Sequence, residues 1–599
     1  MLKILKLLKN HKAEVFLVLC LLVVQAACDL ELPGLMSDIV DIGLTRGGVP
    51  DASQEYIAQV AAGMGDSEVQ MHYLWTTGGK MVAITLLGVL AAVVVNFIAS
   101  RTAAQVGRDL RRQVFDKVLH FSHTEMDQFS TASLITRSTN DIQQVQMVVV
   151  MLLRMVLFAP IMGIGGIIKV VGTKTGMGWI IVLAVVCIFC LMMILMLVAM
   201  PKFKKMQSLV DRVNLVSREI LTGLPVIRAF HKESYEEQRF DDANTILKKT
   251  QLFTGRTMAV MMPTMMLIMN GISVMIVWFG AKGVDAMTLQ VGDMMAFMTY
   301  TMQIVMSFMM ITMVSIMLPR AVVSAERIDE ILRTEPVIRE QEIPEEVTGC
   351  TGTVAFDHVS FRYPGAEEYA LEDITFTARP GKTTAIIGST GSGKTTLLNL
   401  IPRFYDVTEG RVTLDGRDVR ELKLADLRDQ LGYVPQKAVL FSGTIASNIQ
   451  YAGQADEAEM RQAAAVAQAA EFIGEKPQGY DSPIAQGGSN VSGGQKQRLS
   501  IARAVASKPK VYLFDDSFSA LDYKTDAALR KALNQNAKDA AVIIVGQRIA
   551  TVMHADNIIV LKDGRIDGMG THEQLLQTCD TYREIAVSQL SAEELGLEV

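Results

Sequence analysis

The sequence predicts a multi-domain membrane protein: a six-helix all-α transmembrane domain with long cytoplasmic helical extensions, followed by an α/β domain. Long apolar runs dominate the first half of the 599-residue chain, whereas the second half has the mixed pattern of an α/β domain. Half of all residues are hydrophobic and the mean hydropathy is +0.27. Both values are typical of a chain that is partly buried in lipid.

Six apolar runs in the first half are each near the 20 or so residues that a helix needs to cross the hydrocarbon core. They cover Val15–Met36, Met81–Ser100, Met147–Val171, Trp179–Met200, Met258–Gly280 and Met294–Leu318. We therefore expect six membrane-spanning helices.

Charged residues predict how these helices are oriented, because basic residues favour the cytoplasmic side. Basic residues flank alternate ends of the runs: the N-terminal lysines, Arg101–Arg112, Lys202–Lys205 and Arg320–Arg327. The segment after the first run is acidic instead and includes Asp38, Asp41, Asp51, Glu55, Asp66 and Glu68. We expect the basic ends and the N-terminus in the cytoplasm and the acidic segment outside, where Asp38 and Asp41 either help to close a gate or are solvated.

Two of the cytoplasmic connections are long, at about 45 residues between the second and third runs and about 55 between the fourth and fifth. Structureless loops of this length are uncommon in compact domains, so the membrane helices are predicted to continue past the bilayer as helical hairpins. The hairpins turn near 127–134 and near 221–230, and these tips are placed to touch a soluble domain.

The remaining boundaries follow from changes in composition. Residues 1–12 have Lys3, Lys6 and Lys9 spaced among leucines, which predicts an amphipathic helix lying on the membrane surface. The transmembrane domain is predicted to cover 13–335, an acidic linker 336–352, and the α/β domain 353–599.

Two classes of site are disfavoured. A net charge of −6 argues against nucleic acid as a partner. Cys187 and Cys190 form a C-x-x-C pair inside an apolar run, where packing on one helix face fits better than a metal or redox site.

The strongest chemical motif is GSTGSGKT at Gly388–Thr395, between the strand-like TTAIIG and the helix-like TLLNLI. This is the setting of a phosphate-binding P-loop, in which backbone N–H groups and a helix N-terminus hold the phosphates. Lys394 would add a cation and Thr395 an Mg²⁺ ligand. Downstream, the apolar strand VYLFDD ends at Asp515, which is placed to hold the Mg²⁺ shell. The second domain is therefore predicted to be an α/β P-loop nucleotide-binding domain with ATP and Mg²⁺ as its cofactors.

A second candidate phosphate-binding site lies between these two motifs. Ser492–Gln495, with the sequence SGGQ, opens a helix-like stretch, and a helix N-terminus with a hydroxyl and glycines favours phosphate. Two phosphate-binding sites for one nucleotide, the P-loop and the SGGQ segment, suggest that ATP is sandwiched between two chains.

With these motifs in order, the second half resembles the ABC ATPase family, and the six preceding helices are similar to those of ABC exporters. The resemblance implies that Tyr363 stacks on adenine, that Gln436 senses the γ-phosphate and Mg²⁺, and that Ser519–Asp522 contacts the opposing subunit. It also places the two coupling helices at 127–134 and 221–230. The implied nucleotide-binding residues are Tyr363, Gly388, Ser389, Thr390, Gly391, Ser392, Gly393, Lys394, Thr395, Thr396, Ser492, Gly493, Gly494 and Gln495, and the implied metal ligands are Thr395, Gln436 and Asp515.

Two positions depart from the family's active pattern. Asp516 stands where the family has a glutamate as general base, and Gln547 stands where it has a switch histidine. Aspartate is one methylene shorter, and a misplacement of about 1 Å costs roughly 10²-fold in rate. Glutamine cannot carry a proton as histidine can. The candidate catalytic residues Asp516, Gln547 and Gln436 therefore resemble those of the degenerate-site subunit in a heterodimeric exporter, whose partner would hold the competent site.

The membrane half offers fewer clues to the substrate. Of the 36 methionines, 17 fall between Met258 and Met317. They line an adaptable binding surface for amphipathic, drug-like compounds or simply face lipid. Arg154 is an intramembrane charge, which either lines the cavity or pairs structurally; the structural role is favoured.

We therefore expect an ATP-driven multidrug efflux subunit in the plasma membrane of a bacterium, with its N-terminus and ATP domain in the cytoplasm. The expected partners are a second half-transporter, the lipid bilayer and a small amphipathic substrate. Export of lipids or peptides and import of siderophores remain alternatives within the same fold. A non-pumping ATP-binding membrane regulator is the alternative from another class.

Overall fold

The computed structural model describes residues 11–44, 66–173, 175–453 and 455–590. Contacts along the chain divide it into two compact units. The first contains the described parts of Met1–Val118 together with Ala132–Arg333, and the second contains Leu119–Thr131 together with the described parts of Thr334–Val599. Of the surface helix predicted at 1–12, residues 1–10 lie outside the described residues, as do Asp51 and Glu55 of the acidic segment.

Helices make up most of the described residues in the first part of the chain, as the apolar runs predict, and short turns join them. Its helices are α1 (Lys12–Asp38), α2 (Asp66–Leu119), α3 (His123–Gln128), α4 (Thr131–Thr136), α5 (Ile142–Met151), α6 (Leu157–Gly172), α7 (Gly178–Ala229), α8 (Glu233–Asp285) and α9 (Val291–Arg333), of which α3 belongs to the second unit. Short π-helical segments follow α1 (Ile39–Leu44), join α4 to α5 (Arg137–Asp141) and join α5 to α6 (Leu152–Val156).

Among the described residues, five helical segments are long and apolar enough to cross a membrane. They are Lys12–Asp41, Met71–Leu119, Thr131–Gly172, Glu233–Asp285 and Val291–Ile311. A shorter apolar helical stretch, Gly178–Ile194, opens α7 at the fourth predicted span, where several later side chains lie outside the described set. The predicted all-α membrane domain is confirmed.

Small residues let the helices of this unit pack closely around an apolar core. Phe297 and Ile304 of α9 are fully buried, as is Ile180 of α7. A Cβ atom at Gly166 of α6 would lie 2.7 Å from the Ile304 side chain, so glycine is what allows α6 and α9 to approach.

At the end of the first span, Asp41 is buried rather than solvated. Its Oδ1 accepts a hydrogen bond of 2.7 Å from the Gly292 N–H, and Ser37 Oγ donates to its Oδ2 at 3.3 Å. Gly292 is the second residue of α9, so the carboxylate satisfies a backbone donor of that helix's first turn. Asp41 therefore joins the end of the first span to the start of the last one.

The second unit is the α/β domain. Its strands are β1 (Val354–Phe361), β2 (Leu371–Ala378), β3 (Thr383–Gly388), β4 (Glu409–Leu414), β5 (Arg417–Asp418), β6 (Leu431–Val434), β7 (Gly443–Thr444), β8 (Pro483–Ile484), β9 (Val511–Asp515), β10 (Ala541–Val545), β11 (Asn557–Lys562) and β12 (Arg565–Gly570). Its helices after the linker are α10 (Lys394–Leu400), α11 (Leu424–Asp429), α12 (Ile445–Ile449), α13 (Glu457–Val466), α14 (Ala470–Gly474), α15 (Gly493–Ala506), α16 (Tyr523–Asn536), α17 (Ile549–Val552), α18 (His572–Thr578) and α19 (Asp580–Gln589).

The main sheet of this domain has the order β12-β11-β3-β10-β9-β6 and is parallel except for the edge strand β12. Strands β9 and β10 are buried along their whole length, as expected for parallel strands covered on both faces. The carboxyl ends of β3, β6, β9 and β10 meet at one edge, where ligands bind in such sheets. An antiparallel sheet of order β2-β1-β4-β5 completes the domain.

The two predicted hairpin tips have different surroundings. Around the first, α3 packs within the second unit: the His123 ring lies 4.8 Å from that of Phe404, and Tyr405 donates a hydrogen bond of 3.2 Å to Asp127. At the second tip, α7 ends at Ala229, and Leu221 and Phe230 are 76% and 72% exposed.

Candidate nucleotide site

The P-loop joins β3 to α10 and turns at glycines. Gly393, the residue that precedes α10, has a left-handed φ of 97°. A Cβ atom there would also lie 2.8 Å from the Ala370 carbonyl oxygen, so both conformation and space require glycine. Ser389 and Thr390 are exposed at the turn, whereas Ser392 and Thr396 are buried. The loop thereby directs the N-terminus of α10 outward, which suits an anion.

The Lys394 ammonium lies folded against this loop. Its Nζ donates to the carbonyl oxygens of Gly388 at 2.9 Å and Ser389 at 2.6 Å, and lies 3.4 Å from Ser392 Oγ. Burial lowers the pKa of Lys394, and the nearby carboxylates of Asp516 and Asp515 oppose this shift. A buried cation is therefore held at the position where the loop receives phosphate.

Asp515 ends β9 beside Thr395, the second residue of α10. Thr395 Oγ1 donates a hydrogen bond of 3.0 Å to Asp515 Oδ1, although the two residues are 120 positions apart. Burial raises the pKa of Asp515, and the hydrogen bond from Thr395 opposes that shift. One hydroxyl and one carboxylate oxygen side by side are ligands that Mg²⁺ accepts, so the residues present fit the ion.

The three predicted catalytic residues meet at a single oxygen atom. Gln547 Nε2 donates to Asp516 Oδ2 at 3.0 Å, and Gln436 Nε2 donates to the same oxygen at 3.4 Å. Burial raises the pKa of Asp516, while hydrogen bonds and the positive charge of Lys394 oppose the shift. Asp516 also has a left-handed φ of 46°, which costs a non-glycine residue energy and is characteristic of functional sites.

This cluster limits what Asp516 can do chemically. Its Oδ2 already accepts from two amide donors, which hold the side chain toward Gln436 and Gln547, so an attacking water has to compete with them for this oxygen. Both donors are neutral amides, and neither can relay a proton.

Ser492 caps the exposed N-terminus of α15. Its Oγ accepts from the Gln495 N–H at 3.3 Å, and Gln495 Oε1 accepts from the Ser492 N–H at 3.1 Å, forming a capping box. Ser492 and Gly493 are exposed, and a Cβ atom at Gly494 would lie 3.3 Å from the Ala520 carbonyl oxygen. The predicted SGGQ segment and the SALD loop, Ser519–Asp522, are therefore neighbours.

Tyr363, the residue implied to stack on adenine, is half-buried. Its hydroxyl lies within hydrogen-bond distance, 2.8 Å, of Thr396 Oγ1. Its ring packs edge-to-face with those of Phe361 and Tyr405, at centroid distances of 5.0 and 5.4 Å. The ring thus lies beside α10, next to the P-loop.

Two positioning residues were missed in the sequence. Ser517 is fully buried, and its Oγ donates to the Val434 carbonyl oxygen at 3.1 Å, tying the end of β9 to that of β6. Gln589 Nε2, at the end of α19, donates to the Gln547 carbonyl oxygen at 2.9 Å. Neither has a motif of its own, because each acts through a partner that is 83 or 42 positions away.

Comparison with known proteins agrees with this geometry. Residues 15–308 match the family described as the ABC transporter transmembrane region, and residues 371–519 match the ABC transporter family. An ABC transporter ATP-binding protein of Mycobacterium tuberculosis is 41% identical over 99% of each chain. An ATP-dependent lipid A-core flippase of Pseudomonas aeruginosa is 31% identical over 86% of this chain and 85% of its own.

A solved structure shares the whole fold. The ATP-bound structure of a bacterial Atm1-family ABC exporter superimposes with a TM-score of 0.75 at 26% identity, covering 97% of this chain and 98% of the other. Together with the P-loop between β3 and α10 and the apolar helices ahead of it, these matches establish nucleotide binding and a multi-pass membrane location. The chain belongs to the ABC transporter family and is an ABC-type transporter ATPase with the architecture of an ABC exporter.

Proposed function

We propose that this chain is one subunit of an ATP-driven exporter that works as a heterodimer, and that its own ATP site binds nucleotide better than it hydrolyses it. The observation that carries this proposal is the shared oxygen of Asp516, which accepts from Gln547 and Gln436 while the P-loop groups are intact.

The binding half of the site supports tight nucleotide binding. Lys394 lies within the loop, and Thr395 and Asp515 together offer two oxygen ligands. When bound, Mg²⁺ neutralises charge on the β- and γ-phosphates. Gln436 is exposed beside Asp516 and would complete the metal-facing edge.

The hydrolytic half supports slow turnover. Water attack needs a base within hydrogen-bond reach, and the shorter Asp516 side chain is held back by two amide donors. Gln547 can orient a phosphate or a carboxylate but cannot exchange a proton as histidine does.

Surfaces that this chain leaves exposed support the proposal of a second chain. Ser492 and Gly493 present the N-terminal amides of α15 outward, as a partner's nucleotide would require. The second hairpin tip likewise exposes Leu221, Val226 and Phe230, the apolar residues that a partner's ATP domain would cover. The partner is expected to carry glutamate and histidine at the positions of Asp516 and Gln547.

The substrate is proposed to be an amphipathic small molecule that enters the transporter from the cytoplasmic side and is released outside. The N-terminus and the ATP domain are proposed to lie in the bacterial cytoplasm. Lipid export is the second candidate, because a relative that is 31% identical over most of its length is named a lipid A-core flippase.

The test is co-purification with the product of the neighbouring gene, followed by reconstitution in liposomes. The complex should hydrolyse ATP faster than either chain alone, and amphipathic compounds should stimulate hydrolysis and accumulate in inside-out vesicles. A stable complex that binds ATP but transports none of the amphipathic cations, anions, lipids and peptides tried would favour the non-pumping regulator instead. A homodimer with full activity would contradict the heterodimer.

A further inference from the structure

The membrane unit contains a cavity whose charge bears on the substrate class. It has a volume of about 550 Å³ and lies among α1, α2, the segment from α5 to α6, and α9. Its size falls within the range of ordinary small-molecule sites, about 300–1,000 Å³. Its walls are mainly apolar and include five methionines: Met147, Met151, Met155, Met310 and Met317.

Arg154 contributes the positive charge of this cavity. Met147, Met151, Arg154 and Phe158 recur at helical spacing, which places them on one face of the α5–α6 segment. Arg154 is the middle residue of the π-helical turn Leu152–Val156, a local distortion that is frequent at functional sites.

Within the described ranges, the structural pairing that the sequence favours for Arg154 is not found. Among the described residues, no carboxylate or carbonyl oxygen lies within hydrogen-bond distance of its guanidinium, and the side chain is exposed. An arginine inside a membrane span is costly without a partner and usually marks a functional site. The Gln25 amide, in the opposite wall, also has no hydrogen bond to another described residue.

A second cavity of about 470 Å³ adjoins the first, and Met147 and Val150 line both. Polar side chains form most of its lining residues, namely Arg111, Ser138, Thr139, Gln143 and Gln146. Arg111 likewise has no ion-pair partner in the described part of the chain. Within the described residues, neither cavity is lined by an aspartate or a glutamate.

We propose that these adjoining cavities bind an anionic amphiphile, with its carboxylate or phosphate head at Arg154 and its apolar portion among the methionines. Arg111 adds a second positive charge in the neighbouring cavity. Two arginines with no lining acid attract anions and repel cations, and flexible thioethers accept tails of varied shape. This inference rests on the proposed transport function for its biological meaning, and it narrows the amphipathic substrate to one sign of charge.

The test measures binding without ATP, using the full chain in an uncharged detergent. The probe is dansyl-labelled undecanoic acid, compared with dansyl probes of equal length that end in an alcohol or an amine. We expect the acid to bind at least about tenfold more tightly than the amine, and Arg154→Gln to weaken acid binding about tenfold, because a charge-assisted contact is lost. Arg154→Lys should recover part of the loss.

Arg111→Gln should slow acid association more than it changes affinity at equilibrium. Arg112→Gln is the matched control, because Arg112 is an exposed neighbour on α2 that lines neither cavity. Equal affinity for acid, alcohol and amine, or unchanged acid binding by Arg154→Gln, would overturn the proposal.

Competition distinguishes the two sources of such a head group. Displacement of the probe by phosphatidylglycerol identifies an anionic lipid, and retention of the probe identifies a soluble amphiphile; both require the anionic head. Equal displacement by phosphatidylcholine contradicts it. ATP hydrolysis by the two-chain complex is measured separately, so failure of the exporter proposal with acid binding intact is distinguishable from failure of this site.

Discussion

The two halves of the nucleotide site are built differently, although they share one edge of one sheet. In the binding half, Lys394 and Asp515 are buried, and the lysine ammonium is held mainly by backbone carbonyl oxygens. In the hydrolytic half, Gln436 and Gln547 are exposed and hold Asp516 only through side-chain hydrogen bonds. On the proposed roles, binding depends on the fold itself, whereas hydrolysis depends on how far side chains reach, so substitutions that leave the fold intact are expected to weaken hydrolysis first.

The largest effect is expected from a substitution among the residues that bind the nucleotide. Lys394→Ala should weaken ATP affinity about 10–100-fold, because hydrogen bonds to charged groups contribute about 1.5–3 kcal/mol. Titration of the purified chain with a fluorescent ATP analogue measures this. Lys531→Ala is the control, since Lys531 is exposed on α16. An affinity within threefold of the original would contradict the assigned role of Lys394.

The next largest effect concerns the SGGQ segment, Ser492–Gln495, which is proposed to complete the ATP site of the partner chain. Ser492→Ala should lower ATP hydrolysis by the two-chain complex about tenfold, comparable to the loss of one charge-assisted phosphate contact. Thr571→Ala is the matched control, because Thr571 caps α18 with the same capping box. Both substitutions should cost about 1 kcal/mol of stability, so only a difference in hydrolysis reports on the nucleotide. Equal rates for the two variants would exclude a catalytic contribution from Ser492.

A smaller change tests the hydrolytic half directly. Asp516→Glu should raise hydrolysis by the complex only a few-fold, because Gln547 still cannot carry a proton and the partner's half of this site is expected to be defective. Steady-state phosphate release measures it, with Gln547→His and the double variant alongside. A fully active second site after Asp516→Glu alone would show that the site is not degenerate.

The smallest expected effect tests whether Asp516 contributes to nucleotide binding as well as to hydrolysis. Asp516→Asn should change ATP affinity by no more than about twofold and in the direction of tighter binding, because it removes a negative charge beside the phosphate-binding Lys394. Equilibrium binding of ATP to the purified chain checks this. A marked loss of affinity would mean that Asp516 belongs to the binding half.

Much of this organisation was predictable because it depends on local pattern. A membrane span needs about 20 apolar residues, and a P-loop needs glycines between a strand and a helix. Both features can therefore be identified from short stretches of sequence. The all-α membrane domain, the α/β domain and the family were therefore predicted and confirmed. The assigned roles of the individual site residues stay predictions.

Contacts between distant positions were not predictable in the same way. The sequence showed that Asp516 and Gln547 depart from the active pattern, but not that both meet Gln436 at one carboxylate oxygen. That convergence arises because β6, β9 and β10 are adjacent parallel strands, so residues 31 and 80 positions apart leave the sheet at the same edge.

The sequence by itself determined the class of protein, the two domains and the residues available for ATP chemistry, since these follow from composition and motif spacing. Only the tertiary structure decided which groups face one another. It buried Asp41 against the start of α9, joined Gln547 to Asp516, and left Arg154 without a described partner in a mainly apolar cavity. The physical reason is that the amino-acid type fixes which ionisable group a side chain carries, whereas the solvation and the partners of that group depend on how the helices and strands pack.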